Sequence, residues 1–125
     1  MKATLKNYRQ SPRKTRLVTE LVKGKTVTEA LTALKFLNKR AAAPVAKLIA
    51  SAAANAEKQG EDARQLVILN VTVNKGLVAT RFMPRAFGRA APIRHRMSHV
   101  TISLGKGRVK AKKVTTAMTK TKKSS

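Results

Sequence analysis

The sequence predicts an α+β domain with a long protruding β-hairpin, and three observations lead to this fold class. Apolar residues recur at helical spacing in the first half of the 125-residue chain. The second half contains two stretches in which apolar and polar residues alternate, as they do in strands. Between these stretches, residues 80–99 carry five arginines and no acid. A segment so charged cannot enter an apolar core, so we expect it to project from the domain.

The composition allows one domain and points to a polyanionic partner. The hydrophobic content is 42%, and 28 Lys and Arg face only 5 Asp and Glu, which gives a formal net charge of +23. All five acids precede residue 63, so the second half must repel itself unless phosphates neutralise it. There is no cysteine for a disulfide framework, and no apolar run of the length that a membrane span or a secretory signal requires. We therefore expect a cytoplasmic protein that binds nucleic acid.

The N-terminal part predicts one short strand and two capped helices. Residues 2–8 alternate weakly, as an edge strand does. The first helix has Ser11 as its N-cap, Pro12 at its first position and Gly24 as its C-terminal stop. The second begins with "TVTE", a capping-box spacing. The apolar stripes are expected to be Leu17, Val18, Leu21 and Val22 in the first helix, and Val27, Ala30, Leu31 and Leu34 in the second.

A third helix is predicted over about residues 40–58. Pro44 must then lie in its first turn, where the missing N–H costs little, or kink the helix. The small residues of "ASAAANAE" allow a close approach of a neighbouring element, so we interpret this stripe as core and not as a site. The buried face is expected to comprise Val45, Leu48, Ile49, Ala52, Ala53 and Ala56.

Two stretches of period two predict an antiparallel hairpin. Val67, Leu69, Val71 and Val73 would point to one side of the first strand, and Val100, Ile102 and Leu104 to one side of the second. If Val73 pairs near Val100, the turn falls at Phe87 and Gly88, and the ribbon extends about 40 Å at about 3.3 Å per residue. That exceeds the radius of about 14 Å of a compact domain of this size. Residues 105–125 are rich in Lys, Thr and Ser without apolar periodicity, which is typical of a disordered basic tail.

No group of residues predicts an enzyme, a cofactor or a metal site. The acids are few, lie near helix ends and are absent from the basic half. His95 and His99 would be about 13 Å apart on a strand, too far to share a metal ion. The "GKG" of residues 105–107 is not expected to have the preceding strand and the following helix that a dinucleotide-binding loop requires.

Arginines and aromatic residues of the hairpin predict contact with RNA. A guanidinium group offers a planar fork of donors to phosphate and a flat face for stacking on bases. Phe82 and Phe87 lie among the arginines, a mixture typical of proteins that bind unpaired RNA. "SPRK" at residues 11–14 is a second candidate, because a helix N-terminus offers N–H groups to phosphate. A basic solvated loop and simple helix capping remain the alternatives for these two features.

Five motifs resemble, in order and spacing, the universal large-subunit ribosomal protein L-twenty-two family in its bacterial form. They are "SPRKTRLV", "GKTVTEAL", "SAAANAE", "PRAFGRA" and "IRHRMSHVTISL", and the match spans about residues 1–104. The resemblance implies three helices packed on a small three-stranded antiparallel sheet, with a long hairpin protruding at about residues 76–97. It also implies that residues 1–104 form one rRNA-binding domain without enzymatic activity. Its role would be structural: to bind and brace large-subunit rRNA during assembly.

Charge pattern and resemblance together give the expected site residues. The partners implied are large-subunit rRNA, neighbouring large-subunit ribosomal proteins and the nascent peptide. We expect no membrane partner and no homo-oligomer, and we expect the protein to be bound to cytoplasmic ribosomes. The expected rRNA-binding residues are Arg9, Arg13, Lys14, Arg16, Lys39, Arg40, Arg81, Arg85, Arg89, Arg94, Arg96 and His99. The tip expected to line the nascent-peptide exit tunnel comprises Met83, Pro84, Arg85, Ala86, Phe87, Gly88, Arg89 and Ala90.

The chain departs from the family pattern at the base and tip of the ribbon. Asn74 and Lys75 stand where the family usually has acids, Leu77 stands where it has proline, and Phe87 replaces a residue that is commonly basic. A rival interpretation is an architectural DNA-binding protein, because basic β-ribbon arms with a proline at the tip can wedge into a minor groove. Competition between duplex DNA and structured rRNA separates the two.

Overall fold

Three helices and one antiparallel sheet make up the fold. The computed structural model describes residues 1–107, except for the side chain of Arg64. In chain order the elements are β1 (Lys2–Tyr8), α1 (Pro12–Val22), α2 (Val27–Phe36), α3 (Ala42–Glu57), a 3₁₀ turn (Ala63–Gln65), β2 (Val67–Pro84), a second 3₁₀ turn (Ala86–Gly88) and β3 (Ala90–Gly105). The strand order is β1-β3-β2, so the last strand of the chain is the central one. The α+β class, the three-stranded sheet and the long β2–β3 hairpin are confirmed.

The core lies between the helices and the sheet at the end away from the hairpin. Val100, Ile102 and Leu104 of β3 are buried, and they alternate with partly exposed polar residues as expected. On α3 the whole predicted face is buried: Val45, Leu48, Ile49, Ala52, Ala53 and Ala56. No described helix has the length and apolar content needed to cross a membrane.

The buried stripe of α1 differs from the prediction. Leu17 and Leu21 are 61% and 48% exposed, whereas Val18 and Val22 are buried together with two threonines. Thr15 donates its hydroxyl to the Ser11 carbonyl at 3.2 Å, and the Thr19 hydroxyl donates to a carbonyl of the same helix at 3.0 Å. Because these hydroxyls are satisfied within α1, threonine can take core positions, and the helix turns its leucines to the outside.

The helix boundaries follow local signals. Thr26 and Glu29 form the predicted capping box, with both side chain to backbone distances at 3.3 Å. The helix α3 begins at Ala42, two residues later than predicted, because the Lys39 carbonyl accepts the Ala42 N–H in a turn that precedes the helix. Pro44 lies in the first turn of α3 as expected.

Strict alternation along β2 is wrong at Leu69. Ile68 pairs with Leu104 and Asn70 with Ser103, so Leu69 is an extra residue in the ladder. This β-bulge turns Leu69 outward, where it is 52% exposed, and places Ile68 in the core. A Cβ atom on Gly105 would come within 2.5 Å of Leu69 Cδ1, so the displaced leucine packs over this glycine and would have to move for any larger residue. Gly105, expected as the first residue of the tail, thus ends β3 and pairs with Val67.

The predicted basic tail is described only at its beginning. Lys106 forms an ion pair with Glu61, with the Nζ and Oε2 atoms 2.7 Å apart. Residues 108–125 lie outside the described residues, so the expected disorder of the tail stays a prediction.

Two leucine substitutions test this assignment of faces. Leu48→Ala is expected to lower the free energy of unfolding by about 2–5 kcal/mol, because it opens a cavity in the core. Leu17→Ala, the matched control on the exposed face of α1, should change it by less than about 0.5 kcal/mol. Urea denaturation followed by circular dichroism measures both, and an equal loss would contradict the buried stripe described for α1.

Candidate nucleic-acid interface

The hairpin leaves the domain where both edge strands bulge against β3. On β1 the pairing shifts between Leu5 and Tyr8, and on β2 it shifts between Lys75 and Val78. Asn7 takes a left-handed backbone conformation (φ 51°) and donates its N–H to His99 Nδ1 at 3.1 Å. Asparagine adopts this conformation more readily than most residues. The two bulges face each other across β3 and define the base of the hairpin.

Gly76 and His99 fit together at this base. A Cβ atom on Gly76 would lie 3.2 Å from the backbone carbonyl group of Met97 and 3.3 Å from His99 Nε2. A side chain at position 76 would therefore crowd the central strand. His99, expected to bind rRNA, uses one ring nitrogen to hold the β1 bulge, so its role in the described structure is to order the hairpin base.

A basic groove of about 680 Å³ lies beside the hairpin base. It brings together the end of β1, the start of α1, the residue before α3 and the hairpin part of β3. Five expected rRNA-binding residues line it, and none of the described residues in its wall is acidic. The lining residues are Arg9, Gln10, Ser11, Lys14, Arg40, Arg94, His95, Arg96 and Met97. Five like charges in one groove repel one another unless an anion occupies it, which makes the groove a candidate phosphate site.

The first turn of α1 opens onto this groove. Ser11 occupies the N-cap position with an extended backbone, but its side chain makes no capping hydrogen bond. The positive end of the helix dipole therefore adds to the charge of Arg9 and Lys14 beside it. Ser11 thus begins α1 at the expected N-cap position, but without the side-chain hydrogen bond that simple capping predicts.

Tyr8 fixes the wall of the groove. Its hydroxyl lies 2.9 Å from Gln10 Oε1 and 3.3 Å from the Arg40 carbonyl oxygen, so its single hydrogen is within reach of either acceptor. Burial raises the pKa of Tyr8, and the nearby Arg40 guanidinium opposes this only in part. The hydroxyl consequently stays protonated at neutral pH and joins β1 to the segment that carries Arg40.

Arg16 faces away from the groove. Its guanidinium donates from Nη2 and Nε to the Val73 carbonyl, at 2.9 and 3.3 Å. β2 is an edge strand, so some of its backbone groups face away from β3, and Arg16 donates to the carbonyl of Val73. Arg16 therefore attaches α1 to the sheet, while Arg13 and Lys14 are exposed.

The remaining expected site residues spread over the hairpin and the loop before α3. Arg81, Arg85 and Arg89 are exposed along the ribbon, as are all residues from 81 to 90, and Lys39 lies in the loop. At the tip, Pro84 pairs with Ala90, and the Arg85 N–H donates to the Arg89 carbonyl at 2.8 Å.

Phe87 stands at the apex of the tip. Its backbone is left-handed (φ 59°), as is that of Gly88 (φ 64°), and its side chain is 98% exposed. A bulky residue in this conformation is uncommon and strained. Together with Gly88 it gives two consecutive left-handed residues, which close the hairpin in a tight turn.

Gln10, His95 and Met97 line the groove without having been expected in the site. For His95 the available signal was its position between Arg94 and Arg96, and for Gln10 and Met97 only adjacency to predicted site residues. Among residues 1–107, no group of three or more His, Cys, Asp or Glu could hold a metal ion.

Comparison with known proteins gives the family. The family model described as Ribosomal protein L22p/L17e matches residues 3–105. The chain belongs to this family. The matched residues include the three helices, the whole hairpin and all of the three strands except Lys2.

Curated relatives agree over the same region, and all carry the name large ribosomal subunit protein uL22. The relative from Syntrophotalea carbinolica is 51% identical over 104 residues, which cover 82% of this chain and 94% of the relative. Relatives from Pelobacter propionicus and Clostridioides difficile are 48% and 49% identical, covering 82% and 81% of this chain and 93% and 92% of their own.

Arg16 provides a test of the link between α1 and β2. Arg16→Ala is expected to lower the free energy of unfolding by about 1 kcal/mol, because the Val73 carbonyl loses its donor. Arg13→Ala removes the same charge from the same helix and should stay within about 0.5 kcal/mol of the parent protein. Urea titration measures both values, and equal stabilities would show that the Arg16 hydrogen bonds contribute nothing.

Proposed function

We propose that this protein is a structural constituent of the large ribosomal subunit that binds and braces rRNA during assembly. The observation that carries the proposal is the acid-free basic groove at the hairpin base. The names of the uL22 relatives support the assignment to the large subunit, since the alignments cover more than nine-tenths of each relative. In this proposal residues 1–104 act as one rRNA-binding domain of a non-enzymatic protein, on cytoplasmic ribosomes.

The groove supplies the anchor. Arg94 and Arg96 come from the central strand, whereas Arg9, Lys14 and Arg40 come from segments that pack on the core. Their backbone positions are therefore set before RNA arrives, which reduces the entropy lost on binding. Arginine forks suit phosphate oxygens, and release of counterions from the RNA drives association.

We further propose that the hairpin tip lines the nascent-peptide exit tunnel. Phe82, Met83 and Phe87 are 77%, 45% and 98% exposed, among Arg81, Arg85 and Arg89. A two-stranded ribbon is marginally stable in water, and this mixture of apolar and cationic side chains suits a wall built of RNA. The neighbours in such a site would be large-subunit rRNA, other large-subunit proteins and the nascent peptide.

Binding to large-subunit rRNA should weaken steeply with salt. With six to ten phosphates contacted, the affinity is expected to fall by about 10³- to 10⁵-fold between about 50 and 200 mM salt. Filter binding at the two salt concentrations measures this loss of affinity. In the same assay with competing duplex DNA, DNA that competes as well as rRNA would favour the architectural DNA-binding alternative.

A matched pair of variants tests the groove itself. Arg94→Ala with Arg96→Ala should weaken binding and reduce the slope of log affinity against log salt by about 1.4 to 1.8. Lys2→Ala with Lys58→Ala removes the same charge from exposed positions outside the groove. If the two pairs weakened binding equally, total charge and not the groove would account for the affinity.

Deleting residues 83–85 tests the role of the tip. The groove and the core lie at the other end of the hairpin, so the variant should fold and enter the large subunit. Stalling by tunnel-sensing peptides and sensitivity to macrolide antibiotics are expected to change. Sedimentation of subunits provides the assembly control; failed assembly, or normal stalling together with normal drug sensitivity, contradicts the proposal.

A further inference from the structure

The segment between α2 and α3 presents an exposed aromatic ring among cations. Phe36, the last residue of α2, is 86% exposed. Lys35, Lys39 and Arg40, which lie near it in the chain, are also exposed, and residues 30–56 contain no acid. A single exposed apolar side chain is ordinary on a protein surface, so the ring alone indicates nothing. Its interpretation depends on the residues near it in the chain and on the clefts that these residues line.

The backbone of this segment is held in place. The Leu37 N–H donates to the Leu34 carbonyl at 3.3 Å, and the Lys39 N–H donates to the Leu37 carbonyl at 2.8 Å. Leu37 also packs against the core. At the other end of the segment, the Arg40 carbonyl accepts from the Tyr8 hydroxyl. Phe36 and its cations therefore sit on an ordered support, so little backbone entropy is lost when they bind a ligand.

A second cleft adjoins the basic groove, and the chain neighbours of Phe36 line it. Lys35, Leu37, Asn38 and Lys39 line it, and Leu34 contributes to its apolar wall. Arg40 lines both this cleft and the basic groove, so the two are joined at one side chain. Two of the lining residues, Lys35 and Leu37, are the chain neighbours of Phe36. A polyanion that follows the cations from Arg94 past Arg40 is therefore led to the residues on either side of Phe36, whose ring lies outside the lining of both clefts and is open to solvent.

We propose that the α2–α3 segment is a binding site for an unpaired nucleotide of RNA. Phe36 stacks on the base, while Lys35 and Lys39 bind the phosphates on either side of it. Base faces are accessible only where RNA is unpaired, and an aromatic ring beside cations is the combination that binds such nucleotides. The site rests on the proposed RNA-binding function and adds a contact that recognises a base face rather than charge alone.

Substitutions at Phe36 separate stacking from charge. Phe36→Leu should weaken binding to large-subunit rRNA by about 5- to 150-fold without changing the salt slope, because the side chain carries no charge. Phe36→Tyr keeps an aromatic face and should bind as the parent protein does. Lys35→Ala with Lys39→Ala should instead reduce the salt slope by about 1.4. All variants should melt at the parent temperature, because these side chains are exposed.

Tryptophan fluorescence reports the stacking directly. The chain contains no tryptophan, so Phe36→Trp introduces a single fluorophore at the site. Its emission should be quenched by a single-stranded RNA oligonucleotide and much less by a duplex of the same sequence. Leu21→Trp, at an exposed position of α1 next to Glu20, is the matched control and should respond little to either RNA.

The outcomes distinguish this site from the proposed function. If Phe36→Leu binds rRNA normally while Arg94→Ala with Arg96→Ala binds weakly, the nucleotide site is overturned and the RNA-binding function stands. If neither changes binding, both are overturned. Equal weakening by Phe36→Leu and Phe36→Tyr, or equal quenching by duplex and single strand, would also overturn stacking on an unpaired base.

Discussion

The pairing of β3 with both other strands is the constraint on which this structure depends. β1 and β2 each join the sheet by pairing with β3. The apolar residues of β3 lie at the centre of the core, beneath the helices. The same strand continues out of the domain as one side of the hairpin. Because β3 itself runs unbroken from the core into the hairpin, the position of the projecting ribbon is set by the buried pairs at Val100 and Ile102. The strand that orders the core therefore also positions the candidate interface.

The charges of the chain are distributed in keeping with this double role of β3. The hairpin base gathers Arg94 and Arg96 of β3 against cations from three other segments, whereas acids occur near helix ends and loops. Arg16 shows that cations also serve the fold, since it satisfies an edge carbonyl of β2. Repulsion among the remaining cations opposes folding of the free protein, and a polyanion relieves it. Binding and stability are linked for this reason, because a ligand of the folded state stabilises that state.

Sequence reasoning succeeded where structure depends on neighbours in the chain. The capping box at Thr26, the proline in the first turn of α3 and the face of α3 follow from spacing alone. The exposure of Leu17 depends on threonine hydroxyls that bond within their own helix, which an apolar pattern does not show. The bulge at Leu69 depends on register with β3. Likewise, no local pattern predicts that Arg9 and Arg94 share a groove, because the sheet alone brings these distant segments together.

The chain order of the strands has a consequence for synthesis. Among the described elements the central strand is made last, and the Met1 amino group donates to the Leu104 carbonyl at 2.9 Å, so residue 1 lies beside the end of β3. While a ribosome is still producing β3, β1 and β2 have no partner with which to pair. The helices can form as they emerge, but the sheet cannot form until β3 has been made. The strands β1 and β2 therefore remain unpaired, and exposed to aggregation, until β3 is available.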